Sequence, residues 1–396
     1  MDLRPTPDEE RLRSALRAWL EVEVPRHGPA PAAHDYAARR AYDTAWQAKL
    51  FAAGYAGMEW PEEYGGRDAT PGEALVYYEE TARAKAPYIG VNFIGLRHGG
   101  PTLIAEGTPE QKARHLPKIL AGEEIWCQGF SEPTAGSDLA SLRTRAERDG
   151  DHYVVNGHKI WTTHAQAADQ CEMLVRTGSP DSKHKGISWL IVDMRSPGID
   201  VRPIPTLGGE SEFAECFLEN VRVPVGNRVG AENDGWRVTQ VTLQFERGTA
   251  WVGHVIAQHA FLAELVAVAR RVTRWDATAW DDAALRRELG VVQAELDGLW
   301  AMLRMGVSEI SQTGVQGAGA SAVKLLYTEI DQHLGDLAIR VLGRAGSTRD
   351  DFEGLPNAAL LWSALRSLNL TISGGSSQIQ RNIIAERILG LPREPR

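Results

Sequence analysis

Wound at 3.6 residues per turn, the first twenty residues, MDLRPTPDEERLRSALRAWL, place Leu12, Leu16, Trp19 and Leu20 on one face, with Pro7-Asp8 near the start. The same period recurs over 42–50 and 73–86, with the Pro/Gly break WPEEYGG at 60–66 between them. The stretch TPEQKARHLPKILAGEE (108–124) opens on Thr108 as an N-cap with Pro109 in the first helical position. Residues 1–122 therefore read as an N-terminal all-helical domain. From 123 the period shortens. HYVVNGHKIWTT, ISWLIVDM, IDVRPI and CFLENVRVPV are β-rich runs broken by turns, and they predict a middle β-sandwich or barrel of seven or eight strands over 123–232. Within it, Asn156-Gly157 predicts a two-residue hairpin turn, since both turn positions favour φ > 0. Helical periodicity returns over 235–271, 282–314, 318–342 and 355–366, with a last helix from Ser376. This predicts a C-terminal four-helix bundle over 233–396. Helices, then strands, then helices is an α+β multidomain order. It has no βαβ alternation and no GxGxxG, which argues against a Rossmann fold.

Composition narrows the function. The 396 residues are long enough for a large core, and 43% hydrophobic with 24% charged is ordinary globular usage. A net charge of -9 argues against nucleic acid, which needs a basic face, although one basic pocket for a phosphorylated ligand remains compatible. Cys127, Cys171 and Cys216 lack CxxC spacing and predict neither a disulfide framework nor a metal site; a reducing cytoplasm fits best. Early acidic residues and the lack of an apolar h-region argue against a signal peptide, and no apolar run approaches the roughly 20 residues of a membrane span. A soluble protein is expected.

Three stretches carry a resemblance. FSEPTAGSD (130–138), NGHKIWTTHAQAAD (156–169) and SGGSSQIQRNIIAERILGLPR (373–393) resemble, in order and spacing, the TEPxAGSD, NGxKxWITxxxxAD and YEGTSQIQ segments of the acyl-CoA dehydrogenase family. The resemblance covers essentially the whole chain and implies that family's helix–sheet–bundle fold. It implies an FAD cofactor held by Phe130, Ser131, Ser137, Trp161 and Thr163, with Trp161 packing along the isoalloxazine. Arg271 and Thr273 fall on an arginine and a threonine that reach the FAD of a neighbouring subunit, and Ser376 and Gln378 on the remaining FAD contacts. Read without the family, Ser131 and Ser137 are turn-formers, Trp161 a core aromatic, and Arg270-Arg271 a solvated pair. The sequence also departs from the family. Arg274 replaces the usual phenylalanine, and Arg340 and Arg344 replace the glutamine and second glycine of Q-x-x-G-G-x-G, so the adenosine end is held differently.

The sharpest departure is Gly374, which occupies the place of the usual catalytic glutamate. Glycine has no proton acceptor, although its N–H can still polarise a thioester carbonyl. Isovaleryl-CoA and long-chain acyl-CoA dehydrogenases carry the glutamate on an earlier helix, and LQFERGTA (243–250) places Glu246-Arg247 there. Leu243, Phe245, Trp251 and Val252 make the segment apolar, so a carboxylate there is expected to be partly desolvated with its pKa raised. A structural ion pair is the rival reading of Glu246. Asp350, Asp351 and Glu353 lie in a polar loop and are weaker candidates. The resemblance then implies α,β-dehydrogenation of an acyl thioester. Glu246 is the base, and Arg247, Ser137 and Gly374 are on the substrate. Electron-transferring flavoprotein is the expected acceptor, and a homotetramer or hetero-oligomer the expected assembly. The Gly374-Gly375 pair leaves room for branched, cyclic or bulky acyl groups. Rival functions are a partner subunit of a hetero-oligomeric dehydrogenase, a flavin-dependent oxygenase or desulfinase, and the same chemistry on a carrier-protein thioester.

Overall fold

Thr6 and Glu9 close the first helix by exchanging hydrogen bonds, Thr6 N to Glu9 Oε2 at 2.8 Å and Glu9 N to Thr6 Oγ1 at 3.2 Å, and acidic Asp8, Glu9 and Glu10 suit its positive end. This helix is α1 (Pro7–His27), and it buries Leu12, Leu16 and Leu20. The computed structural model describes residues 4–32, 35–245, 251–313 and 319–393. Next come α2 (Tyr36–Ala52) and α3 (Pro71–Arg83), the latter started by a Thr70–Glu73 capping box with Pro71 at its head. A π-helical turn, Gly95–Gly99, leads into α4 (Gly100–Glu106). The expected N-cap Thr108 opens α5 (Pro109–Ala121), its hydroxyl accepting from Gln111 N.

Eight strands follow: β1 (Trp126–Gly129), β2 (Arg145–Asp149), β3 (His152–Thr163), β4 (Gln170–Arg176), β5 (Ile187–Asp193), β6 (Ile199–Ile204), β7 (Phe213–Pro224) and β8 (Arg228–Val229). They form one mixed sheet of order β6-β7-β3-β2-β4-β5-β8, with β1 parallel to β4. Its core side carries Tyr153, Val155, Met173, Val175, Leu190, Val192, Val221 and Val223.

The Asn156-Gly157 turn is not there. Both residues lie inside β3, neither has positive φ, and the β2–β3 reversal is made at Gly150 (φ 61°). Asn156 instead accepts a hydrogen bond from Asn220 N at 2.8 Å. A Cβ on Gly157 would stand 2.4 Å from Thr144 Oγ1. The glycine serves close strand approach at a register shift, a demand that the Asn-Gly signature does not distinguish from a turn.

The remaining elements are α6 (Gly235–Phe245), α7 (Val252–Ala269), the two-stranded β9 (Thr273–Arg274) and β10 (Ala277–Thr278), α8 (Ala283–Thr313), α9 (Gly319–Leu342), α10 (Asn357–Leu370) and α11 (Ser377–Ile383). The chain divides into two compact units, one of 1–21, 70–86 and 247–396, the other of 22–69 and 87–246. In the first unit, Leu262, Leu265, Leu289, Val292, Leu296, Leu299, Ile330, Leu334 and Leu337 build the bundle core. Burying each is worth about 1.5–3 kcal/mol relative to exposure. Glu80 of α3 binds Arg13 and Arg17 of α1, which hold its carboxyl low, Arg17 foremost, against the opposing effect of burial. In the second unit, Arg237 of α6 forks onto Glu106 of α4 at 2.6 and 2.7 Å.

One expectation about apolar runs needs correction. Among the described residues, α7 is long and apolar enough, by length and composition, to cross a membrane. Its Val255, Leu262, Leu265, Val268 and Ala269 are instead buried in the bundle core.

Candidate active site

Two of the three motif stretches meet in the second unit, and their geometry is set by a buried ion pair. Lys159 of β3 is fully buried, and its ammonium donates to Glu132 Oε1 at 2.9 Å and to the Phe130 carbonyl at 3.1 Å. Glu132 also accepts from the Arg143 and Thr144 backbone N–H groups at 2.6 and 2.8 Å. Burial alone pushes the Glu132 carboxyl upward, but Lys159 and these donors override it and hold the group below its usual range. Burial also lowers the Lys159 ammonium, with Glu132 opposing. The loop after Glu132 doubles back through paired Glu132–Ala135 backbone bonds at 3.0 Å, which leaves Ser137 exposed and Ser131 half-buried, with Phe130 in the core.

Farther along β3 the register slips. Lys159 pairs with Cys216 and Thr162 with Ala214, so β3 carries one residue more than β7. The extra backbone length bulges at Trp161, whose φ is +61°, a region that bulky L-residues rarely occupy. The indole is 55% exposed and meets Phe213 edge-on at 6.1 Å. Trp161 is therefore not the core aromatic of the rival reading. A large aromatic held outward at strained backbone is the kind of local cost that function sustains. Thr163, two residues on, is half-buried. An exposed indole plate, on a strand whose Ile160 N–H donates to the Ser131 carbonyl at 3.0 Å, suits a flat polar ring system, so the residues present fit a flavin.

The third stretch lies in the first unit. Gly374 and Gly375 have φ of 61° and 88°. A Cβ on Gly375 would come 2.7 Å from Gln380 Nε2, whereas one on Gly374 meets nothing within 4 Å. The turn is held by side chains of α9 and α11. Lys324 of α9, almost fully buried, donates to the Leu370 and Gly375 carbonyls at 3.0 and 2.8 Å. Gln332 Nε2 reaches Thr371 Oγ1 at 3.0 Å, and Gln380 Nε2 reaches the Gly374 carbonyl at 3.1 Å. Ser376 caps α11 by accepting from Ile379 N at 3.4 Å, and Gln378 is exposed.

Of the other expected cofactor residues, Arg271 and Arg340 have protein partners. Arg271 donates to the Gly354 carbonyl at 2.6 Å, and Thr273 is exposed in the β9–β10 hairpin. Arg340 forks onto both Glu288 oxygens, while Arg344 is exposed. Arg274 turns toward the Arg340 and Val341 carbonyls. Glu246 and Arg247, the expected base and its neighbour, lie outside the described residues. Glu132, Lys159 and Lys324 were not singled out from the sequence. A lysine amid Val323, Leu325 and Leu326, and one between His158 and Ile160 in a β-rich run, were the available signals. Among the described residues no cluster of three or more His, Cys, Asp or Glu could hold a metal.

Comparison with known proteins agrees along the whole chain. The profiles of the acyl-CoA dehydrogenase N-terminal, middle and C-terminal domains match residues 6–123, 127–221 and 233–389. The sequence is 42% identical to acyl-CoA dehydrogenase IpdE1 of Mycobacterium tuberculosis, over 98% of this chain and 99% of that protein. It is 35% identical to acyl-CoA dehydrogenase FadE29 of the same organism, over 99% of both. Among solved structures, the ChsE4-ChsE5 complex from Mycobacterium tuberculosis superposes with a TM-score of 0.83 at 34% identity, and the Tcur3481-Tcur3483 steroid ACAD with 0.85 at 32% identity, each over 100% of both chains.

Proposed function

The chain belongs to the acyl-CoA dehydrogenase family and is an FAD-dependent oxidoreductase that desaturates acyl thioesters, and from that premise we propose that its acyl group is bulky and ring-bearing and that Glu246 is the proton acceptor. One observation carries the choice of substrate: the open space at Gly374, where an added Cβ meets no atom within 4 Å. A glutamate at that position would project into the space, and its absence leaves volume beside the turn. The likeness to the Tcur3481-Tcur3483 steroid ACAD supports the same reading.

The chemistry distributes over named atoms. The Gly374 N–H donates to the thioester carbonyl oxygen, stabilising the charge that gathers there as the α-proton departs. Glu246 takes that proton. Its sequence neighbours Leu243, Phe245, Trp251 and Val252 are apolar, the kind of setting in which a carboxylate serves as a base. Arg247 orients the base, and Ser137 and Trp161 hold ring and substrate in register. When bound, FAD supplies the acceptor for the β-hydrogen and both electrons of its bond. Electron-transferring flavoprotein is the proposed next acceptor. A cytoplasmic setting is proposed from the three cysteines, all buried and free, with burial pushing Cys216 up to about 12.

The assembly is proposed to be oligomeric, and a second, related chain is a specific alternative to a homotetramer. The two-chain ChsE4-ChsE5 relative and the Arg340 side chain already occupied by Glu288 favour that alternative. The test is anaerobic titration of the purified flavoprotein with a panel of acyl-CoAs, with the chain expressed alone and with candidate partner chains. Ring-bearing thioesters are expected to bleach the flavin at the lowest concentrations. Preference for short straight chains would overturn the substrate proposal. A carrier-protein thioester included in the panel separates the two kinds of carrier.

A further inference from the structure

Among all buried ionic contacts described, one joins two motif segments at the candidate flavin site itself. Lys159 has no exposed surface and Glu132 only 7%. Together they make four short polar contacts: ammonium to carboxylate at 2.9 Å, ammonium to the Phe130 carbonyl at 3.1 Å, and carboxylate to the Arg143 and Thr144 N–H groups at 2.6 and 2.8 Å. A fifth bond, Ile160 N to the Ser131 carbonyl at 3.0 Å, runs alongside. Burying such a pair is expensive, and an apolar pair of the same volume is often as stable or more so. An apolar pair, however, could not hold the Phe130 carbonyl at one place.

Sequence neighbours give the contact its significance. Ser131 sits between Phe130, whose carbonyl is gripped, and Glu132, which does the gripping. Trp161 lies two residues beyond Lys159, just past the point where β3 slips register. The groups expected to touch the ring thus come from segments about thirty residues apart, and the buried pair is the tie between them. We propose that Lys159 and Glu132 are positioning residues for FAD, fixing the Phe130–Ser137 loop against the Trp161 bulge before the cofactor arrives. This rests on the reading of Ser131 and Trp161 as flavin contacts. Neither residue of the pair touches the ring; both act through the segments they join. The carboxylate, held below its usual range, stays ionised at neutral pH and keeps the tie intact.

The test compares FAD affinity with stability. The full-length protein is stripped of flavin and titrated with FAD, FAD release from the holoenzyme is timed on dilution, and melting of the flavin-free form is followed separately. Glu132→Gln keeps the shape and one acceptor oxygen; Lys159→Met/Glu132→Gln removes both charges, so that neither is left buried alone. The double variant is expected to melt within a few degrees of wild type without flavin, and Glu132→Gln, which leaves the ammonium buried without its counter-charge, somewhat lower. FAD should bind about 10–100-fold more weakly, the scale of a lost charge-assisted contact, and leave correspondingly faster. Lys159→Arg, which keeps the cation beside Glu132, should lose less affinity than either. Equal FAD affinity in wild type and either folded variant would overturn the proposal, because a merely structural pair would lower melting and leave affinity alone. Affinity lost only in proportion to melting would do the same. Wild-type protein that takes up no FAD would overturn the cofactor contacts themselves, an outcome visible before any variant is made.

Discussion

The motif segments of the two units keep their shapes by opposite means. In the sheet unit, the motif residues carry their own supports: Lys159 and Glu132 stand inside the signature stretches, and the strained residue, Trp161, is a large side chain at φ 61°. In the helical unit, the two glycines supply only backbone, at φ 61° and 88°, and the main grip comes from outside the motif, Lys324 and Gln332 of α9, with Gln380 of the motif's own α11 adding a bond to the Gly374 carbonyl. A presented ring needs a side chain and tolerates backbone cost to obtain it. A presented N–H needs no side chain, and glycine reaches φ > 0 without strain. The lesson is that motif identity means different things in the two places: side-chain chemistry in the first and backbone path in the second.

That contrast can be broken experimentally. Lys324→Met should be the most damaging change, because it leaves the Leu370 and Gly375 carbonyls without their buried donor. A loss of about 2–4 kcal/mol is expected, read by denaturant unfolding, with turnover falling further than flavin affinity. Gly375→Ala should follow at about 1–3 kcal/mol, since it combines a left-handed backbone with the 2.7 Å approach to Gln380. Trp161→Gly should separate stability from function. The flavin-free protein should gain up to about 1 kcal/mol as backbone strain is relieved, while FAD binds about tenfold more weakly for want of the stacking plate. Gly374→Ala should cost only about 1 kcal/mol, from φ alone, and shift preference among acyl groups toward smaller ones.

The smallest effect tests the bundle behind the turn. Burial raises the Asp331 carboxyl above its ordinary value, with a Gln258 hydrogen bond opposing. Because the folded pKa exceeds the unfolded one, the stability linked to this group is complete below the ordinary value of about 3.9 and is lost as pH rises through the raised value. Asp331→Asn should therefore raise the melting temperature at pH 7 by roughly 1–3 °C and leave it unchanged near pH 3.5.

Much of this was legible in the sequence. Apolar periodicity located α1, α5, α8 and α9 closely, and Thr108 and Pro109 marked the start of α5, because caps and stripes are local. The Trp161 position came from motif spacing, but not its outward pose, which depends on a bulge defined only against β7. Asn156-Gly157 misled for the same reason: the neighbour that makes glycine necessary, Thr144, is remote in the turn calculation and close only in the sheet. Lys324 was hidden because a helical lysine normally reads as solvated, and only the fold reveals two carbonyls waiting for it.

Glu246→Gln should be compared with wild type by rapid anaerobic mixing of each holoenzyme with the ring-bearing acyl-CoA that wild type oxidises fastest, following the oxidised-flavin band. Relocation of the base to Glu246 predicts that both proteins bind FAD equally while the bleaching rate of the variant falls by about 10²–10⁴-fold. Bleaching at the wild-type rate in the variant would contradict it.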